Sequence, residues 1–511
     1  MPRKHFSPKL SFPKHNSFIS AVCLLLVCIS IPLQTLGQFS VRENYLPTSS
    51  TFGPDTLAGM WREAGNPAGM AEAGIYRTGQ LQAAGFSSSG DLRSVREPER
   101  ISGGFFHAKG TQNIGNWMLL GDVLLSQTNH GSVFYRNHAP VRTNNPYQWV
   151  DTTGGDWDNM HILLKSSAAS PIIFQKFRVG YSVAYEVMQG ARQNAERPLF
   201  TYNRYFIRKG LKFSISDNID FGVSGSFQGK KEEQELGFFN QLDTYVLILR
   251  GIGTFNQTTF NSASRSYSEN TFGGGIQVHI RRSDMGLVSF LDISSSTENV
   301  STGISNPVSS GEWNTFTFSS GVTLYQTPKN ISREFGLRSY WTSGEGIDPF
   351  LNGKNILLNH FRGQAFFKNT WLSNSKTDRL SFMFRATFDV HDLEDIVSAS
   401  DRLLSLLSVD ASMARRTQSS QYGIRANYYI PLKNRLNVRS MNEAVRRIFL
   451  PDFLLLEQNI ATISSTVGRY FVIGTSDIGV TVDAFISIHP EDGFSPNRLQ
   501  RGMSISLTLA L

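Results

Sequence analysis

The chain has 511 residues, a formal charge of +8 and two cysteines, with 12% aromatic and only 18% charged residues. An ordinary soluble domain carries about 25% charged residues. Both cysteines, Cys23 and Cys28, fall in the first 37 residues, which excludes a disulfide scaffold, a cysteine metal site and thiol catalysis for the rest of the chain.

Residues 1–37 read as a signal peptide. Arg3, Lys4, Lys9 and Lys14 precede the apolar run "ISAVCLLLVCISIPL" (19–33), and Gly37 offers a small residue for cleavage. The run is short for a membrane-spanning helix, and neither cysteine follows the small residue that a lipoprotein signal requires. Loss of these four basic residues lowers the charge to +4, which gives no reason to expect a nucleic-acid partner.

Nothing after residue 37 is apolar enough to cross a bilayer as a helix. Low charge, 44 glycines and abundant aromatics then point to an all-β fold, a transmembrane antiparallel β-barrel that hides its apolarity in alternation. Residues 38–72 read as an N-terminal periplasmic or plug segment and 73–511 as the barrel. At their junction, "LAGMWREAGNPAGMAEAG" (57–74) does not alternate and predicts a short helix and a turn before the first strand.

Strand patterns follow. Residues 128–172, rich in Asn, Gly and Pro, predict the largest external loop. "KFRVGYSVAYEV" sets Phe177, Val179, Tyr181, Val183, Tyr185 and Val187 against Arg178, Gly180, Ser182 and Glu186. "LKFSISDNIDFGVSGSF" predicts two strands about an Asp217-Asn218 turn. Counting back from the end of the chain places that turn outside and makes "KKEEQELGFFNQ" (230–241) a periplasmic link. "GGIQVHIR" and "LSFMFRATFDVH" alternate in the same way. Ser440 and Glu443 form a capping pattern before "AVRRIFLPDFLLLEQ", predicting a short helix that ends near Pro451. The chain closes on "GMSISLTLAL" (502–511), where Met503, Ile505, Leu507, Leu509 and Leu511 share one face. A closing strand of this kind is what barrel assembly machinery reads, although such strands commonly end on an aromatic.

The patterned segments run roughly 10 to 12 residues, about the 9–11 that a tilted strand needs to cross a membrane. From Phe272 onward short and long gaps alternate, as periplasmic turns and external loops do. The count is 18 strands, with 14 or 16 left open by the irregularity upstream.

On the lumen face the pattern places Arg178, Lys212, Arg281, Arg362, Arg385 and Arg425. A basic lumen would favour anionic solutes; pairing with Asp220, Glu186 or Asp389 would instead make these residues barrel filling. "FDVHDLED" (388–395) puts Asp389 and His391 on one face beside Asp392, Glu394 and Asp395, a weak candidate for a metal site or a rim-located hydrolase. "GGDWDNMH" gathers Asp156, Asp158 and His161 and raises the same question. No enzyme motif is present, no enzymatic role is favoured, and no cofactor is expected.

The signal peptide, "MWREAGNPAGMA" and "GMSISLTLAL" together make the mature chain similar to outer-membrane β-barrel proteins of the Bacteroidota known only as a domain of unknown function. Members of that group are often encoded near TonB-dependent receptors, which implies a role in nutrient uptake. Asn66, Pro67 and Ala68, followed by Gly69, also resemble the Asn-Pro-Ala motif of long-chain fatty-acid transporter barrels, in which the motif lies in a segment that folds into the barrel. The predicted strand number exceeds that family's fourteen. These resemblances imply a cell outer-membrane location and transport of a small or lipophilic solute. The alternative is a non-conducting accessory barrel that partners a TonB-dependent receptor or a surface lipoprotein.

Overall fold

The computed structural model describes residues 65–73, 77–140, 145–192, 197–237, 245–258, 262–303, 305–351, 353–373, 378–473, 476–489 and 499–510. The signal-peptide segment 1–37, most of the segment 38–72 and Leu511 lie outside these residues. The first strands are β1 (Arg77–Gly90), β2 (Arg100–Ile114), β3 (Trp117–Val133), β4 (Gln148–Asp151), β5 (Gly155–Ala169), β6 (Phe177–Arg192), β7 (Leu199–Ser216) and β8 (Ile219–Gly237). Next come β9 (Val246–Leu249), β10 (Phe255–Thr258), β11 (Ser262–Arg282), β12 (Met285–Thr302), β13 (Val308–Gln326), β14 (Ile331–Asp348) and β15 (Gly353–Leu372). The last are β16 (Arg379–Asp395), β17 (Ser400–Arg416), β18 (Ser420–Pro431), β19 (Arg435–Asn437), β20 (Ile460–Ile473), β21 (Ser476–Ile488) and β22 (Leu499–Ala510).

Eighteen of these strands form one closed antiparallel barrel. Each pairs with the next long strand in the chain, and β22 returns to β1, with Ala83 opposite Leu507 and Gly85 opposite Ile505. Closure leaves no free edge. The three-residue β19 adds only to β17, and β4, β9 and β10 form a separate small sheet.

Alternation decides which side chains face out. On β22, Met503, Ile505 and Leu507 are about half exposed, whereas Ser504 and Ser506 are buried. On β16, Phe382, Phe384 and Phe388 point outward while Asp389 and His391 are buried. The outer surface carries an aromatic row near the short turns (Trp117, Phe177, Phe335, Trp371) and another further along (Tyr185, Tyr205, Phe316, Phe388). Phe177 and Tyr185 are eight residues apart on β6, about 26 Å along a strand. At a barrel tilt of about 40° that is roughly 20 Å in height, near the ~25 Å apolar band of an outer-membrane barrel.

Strand length corrects several expectations. The barrel strands run from 12 to 21 residues, longer than a membrane crossing needs, so much of each pattern continues past the apolar band. "KKEEQELG" (230–237) is the end of β8 and not a periplasmic link; residues 238–241 lie outside the described residues. The Asp217-Asn218 turn therefore joins β7 and β8 at the same end as the other short turns and the start of β1. This removes the upstream irregularity, and the count is 18. Within the expected loop 128–172, β3 runs to Val133 and β5 fills Gly155–Ala169, leaving 134–154 as the connection.

The predicted helix does not stop at Pro451. A π-helical turn at Val445–Phe449 runs into α1 (Leu450–Leu456), and Pro451 sits where the one gives way to the other. Asn442, not Ser440, caps the start: its Oδ1 accepts from the Val445 N–H at 3.0 Å.

Candidate functional site: a lid across the lumen

The connection 134–154 leaves the wall at β3 and returns at β5, yet its middle touches the far side. Asn145 Nδ2 donates to Glu298 of β12 at 2.5 Å, and the Tyr147 hydroxyl donates to Asn355 Oδ1 of β15, also at 2.5 Å. The Tyr147 ring is accommodated by glycines: a Cβ on Gly311 would lie 2.7 Å from it, and one on Gly346 2.6 Å from its hydroxyl. Four strands (β6, β7, β8, β11) separate β5 from β12 around the wall, so the described residues from Asn145 to Gly154 cross the lumen.

The connection between β8 and β11 joins it. β4 pairs with β9, Gln148 opposite Leu249 and Asp151 opposite Val246, and β9 pairs in turn with β10. All four residues of β4 are buried. Val150, Leu247, Leu249 and Ile252 pack with Ala444, Ile448 and Phe449 of the helical segment. Burial of each large apolar side chain contributes about 1.5–3 kcal/mol at most. The connection between β1 and β2 completes the assembly through Asp452 of α1, which accepts from Ser94 Oγ at 2.6 Å, the Val95 N–H at 3.0 Å and Arg96 Nη2 at 3.3 Å. Arg96 Nη1 reaches Gln148 Oε1 at 3.2 Å.

Buried charge fixes this lid to the wall. Arg192 of β6 pairs with Asp151 at 3.1 Å, both fully out of solvent. Arg250 pairs with Asp348 of β14 at 2.6 Å. Asp395 of β16 accepts from the backbone N–H groups of Gly253 (3.1 Å) and Thr254 (3.2 Å). Register shifts at His130/Val133, Val300/Ser301 and Gly346/Ile347 fall at this end of β3, β12 and β14, where bulges bend a rim.

Near the short-turn end sits the Asn66-Pro67-Ala68-Gly69 segment, leading into a 3₁₀ turn over Pro67–Ala73. Asn66 Nδ2 donates to the carbonyl of Leu211 at 3.2 Å, and its Oδ1 accepts from the Ala68 N–H at 3.0 Å. Gly180 and Gly210 make the room. A Cβ on Gly180 would lie 2.3 Å from the Ala68 nitrogen, and one on Gly210 1.9 Å from Asn66 Oδ1.

All six predicted basic residues alternate with outward-facing neighbours on their strands. Asp220 accepts from Lys212 at 3.0 Å and from Arg281 at 2.5 Å. Arg362 pairs with Asp389 at 2.7 Å, and Arg425 with Asp410. Arg385 lies across from Asp410 in register, and its Nη2 is 3.8 Å from the Met383 sulfur. Arg178 lies across from Lys212. Glu186 is taken by Arg204 at 2.8 Å and His161 at 2.9 Å.

Asp389 and His391 share the inner face, but each turns to an arginine: Asp389 to Arg362, and His391 Nε2 to Arg402 Nη2 at 3.2 Å. Asp392 and Glu394 alternate to the other face. Among the described residues no group of three or more His, Cys, Asp or Glu could hold a metal. "GGDWDNMH" also divides: Asp156 and Asp158 are exposed, whereas Trp157 and Asn159 are buried and His161 meets Glu186. A period of two separates residues that are adjacent in sequence. The sequence signals for the lid were two short runs inside polar connections, "YQWV" (147–150), apolar but for Gln148, and "YVLIL" (245–249).

Several solved structures are similar in fold. The copper transporter OprC is 8% identical, with a TM-score of 0.42 over 85% of this chain and 81% of that one. The BauA ferric preacinetobactin receptor of Acinetobacter baumannii is 7% identical, with a TM-score of 0.37 over 85% and 80%. A Pseudomonas aeruginosa FadL homologue is 12% identical, with a TM-score of 0.31 over 87% and 92%. No curated protein matches the chain. The model of a family of unknown function, DUF6850, matches residues 67–509, and the chain belongs to that family.

Proposed function

We propose that the protein is an outer-membrane transporter of a small or lipophilic solute, with a lumen closed at rest by the lid. The short-turn end faces the periplasm and the lid faces outside. Residues 1–37 direct export, and the barrel assembly machinery and outer-membrane lipid are its first partners.

The observation that carries this reading is the lid: a folded element held in the lumen by non-covalent contacts. Beside it, Leu92, Leu406, Tyr429, Pro431, Leu455 and Leu456 line an apolar pocket that is partly open to solvent. An apolar lining against a polar lumen suits a lipophilic guest. The reading assigns no chemical step to any residue.

Single-channel conductance of the refolded barrel, with the native lid and with Asp395→Ala, tests this. Small or rare openings in the native protein and longer ones in the variant are expected. Silence in both, with a folded barrel and no uptake of a lipophilic reporter into liposomes, overturns it. That outcome favours a non-conducting barrel that partners a TonB-dependent receptor or a surface lipoprotein. The paired lumen charges support this second reading.

A further inference from the structure

A second cavity lies between the lid and the wall of β15 to β17. Arg96, Asn145, Gln148, His391, Arg402 and Phe449 are among its lining. Arg402 is 3% exposed and His391 2%. Three other buried cations of this barrel have a carboxylate at hand: Arg192 at 3.1 Å, Lys212 at 3.0 Å and Arg250 at 2.6 Å. Arg402 has none within 4.0 Å among the described residues. Its one hydrogen bond goes to a neutral acceptor, His391 Nε2, and its Nε has no partner.

The surroundings add positive charge. From the connection between β1 and β2 comes Arg96, whose charge is offset by Asp452 at 3.3 Å. From β15 comes His360, with neither ring nitrogen bonded. The lid contributes the amides Asn145 and Gln148 together with Pro146, Leu249 and Gly251, and the helical segment contributes Phe449. With both histidines neutral, the charges nearest Arg402 are Arg96 and Asp452, and Arg402 has no carboxylate of its own; Asp395, which lies beside Gly251 of the cavity lining, is held by the Gly253 and Thr254 N–H groups. Since His391 Nε2 accepts from Arg402, its proton sits on Nδ1, a buried donor without a partner. A buried guanidinium without counter-charge is costly, and an anion in the cavity removes that cost.

We propose that this cavity is an oxyanion site, in which Arg402, with Arg96 and the His391 Nδ1–H nearby, receives one carboxylate or phosphate group. Guanidinium forks suit the planar or tetrahedral oxygens of these groups. The site is separate from the transport reading, and its failure would leave that reading untouched.

The test is calorimetric titration of the refolded mature protein in detergent, at low chloride, with sodium acetate and separately with sodium phosphate. Saturable binding of at least one anion is expected, and which one binds assigns the class. Arg402→Gln weakens it at least ~10-fold, while Lys354→Gln, on the exposed rim, leaves it unchanged. If Arg402→Gln does not refold, Arg96→Gln decides, with a loss of at least ~5-fold expected. No saturable binding of either anion, or affinity within twofold of the native protein in the deciding variant, overturns the proposal.

Discussion

Arg192 on the barrel wall and Asp151 in the lid pair at 3.1 Å with neither side chain reaching solvent. A second Arg192 bond, from Nη1 to the Thr153 carbonyl at 2.7 Å, holds the returning end of the same segment. Removing one partner of a buried pair leaves the other uncompensated and costs about 3–5 kcal/mol. Asp151→Ala therefore loosens the lid without removing a barrel strand. The expected outcome is faster proteolysis within 134–154, with the heat-modifiable gel shift of the barrel retained. Equal protease resistance in variant and native protein would show that the pair does not hold the lid.

The Asn66 segment depends on two absent side chains. Gly180→Val and Gly210→Val each place carbon where the segment lies, against Ala68 or Asn66, and overpacking of this kind costs about 1–3 kcal/mol. The segment should leave the wall while the strands stay paired. Because no cysteine follows Cys28, a lone cysteine introduced as Ala68→Cys reports this cleanly. It is buried in the native protein and should react slowly with a soluble maleimide, and at least ~10-fold faster in either glycine variant if about 1.4 kcal/mol is lost. Unchanged labelling would refute the packing argument.

The barrel was legible because a lipid-facing strand writes its environment in every second residue. The runs 177–187 and 380–390 needed no tertiary information. Strand ends were not legible. Above the membrane the outer face becomes polar, so "KKEEQELG" loses the apolar signal while its backbone ladder with β7 and β11 continues. The lid was hidden for a different reason. Its strands β4 and β9 are four residues long, and their partners lie across the lumen, where no local pattern reaches. The inward side of Asp389 and His391 was readable from parity, but their arginine partners sit on neighbouring strands.

Asp220 serves two cations, Lys212 and Arg281. Asp220→Asn removes the shared charge and leaves both facing the lumen near the short-turn end. An open pore should then prefer anions more strongly, since a ring of like charge focuses its field on the opposite ion. Reversal potential under a salt gradient, measured in the Asp395→Ala background that opens the lid, is expected to move toward that of the anion. No movement would mean that ions do not pass this cluster.

Tyr147 couples the lid to pH. Burial raises its hydroxyl above the ordinary tyrosine value of 10.0, and the nearby Asp348 carboxylate adds to the shift. The folded lid thus favours the protonated ring, while an opened lid exposes a tyrosine that ionises normally. The stabilisation is complete below about pH 10 and is lost as pH rises through and beyond it. Proteolysis of 134–154 should accelerate over that alkaline window. Tyr147→Phe cannot ionise and should remove that residue's part of the pH dependence. It also leaves Asn355 Oδ1 without its donor, at a cost of about 1–3 kcal/mol, so the variant lid is looser at neutral pH and less responsive to alkali. An identical pH profile in the two proteins would place the alkaline opening elsewhere.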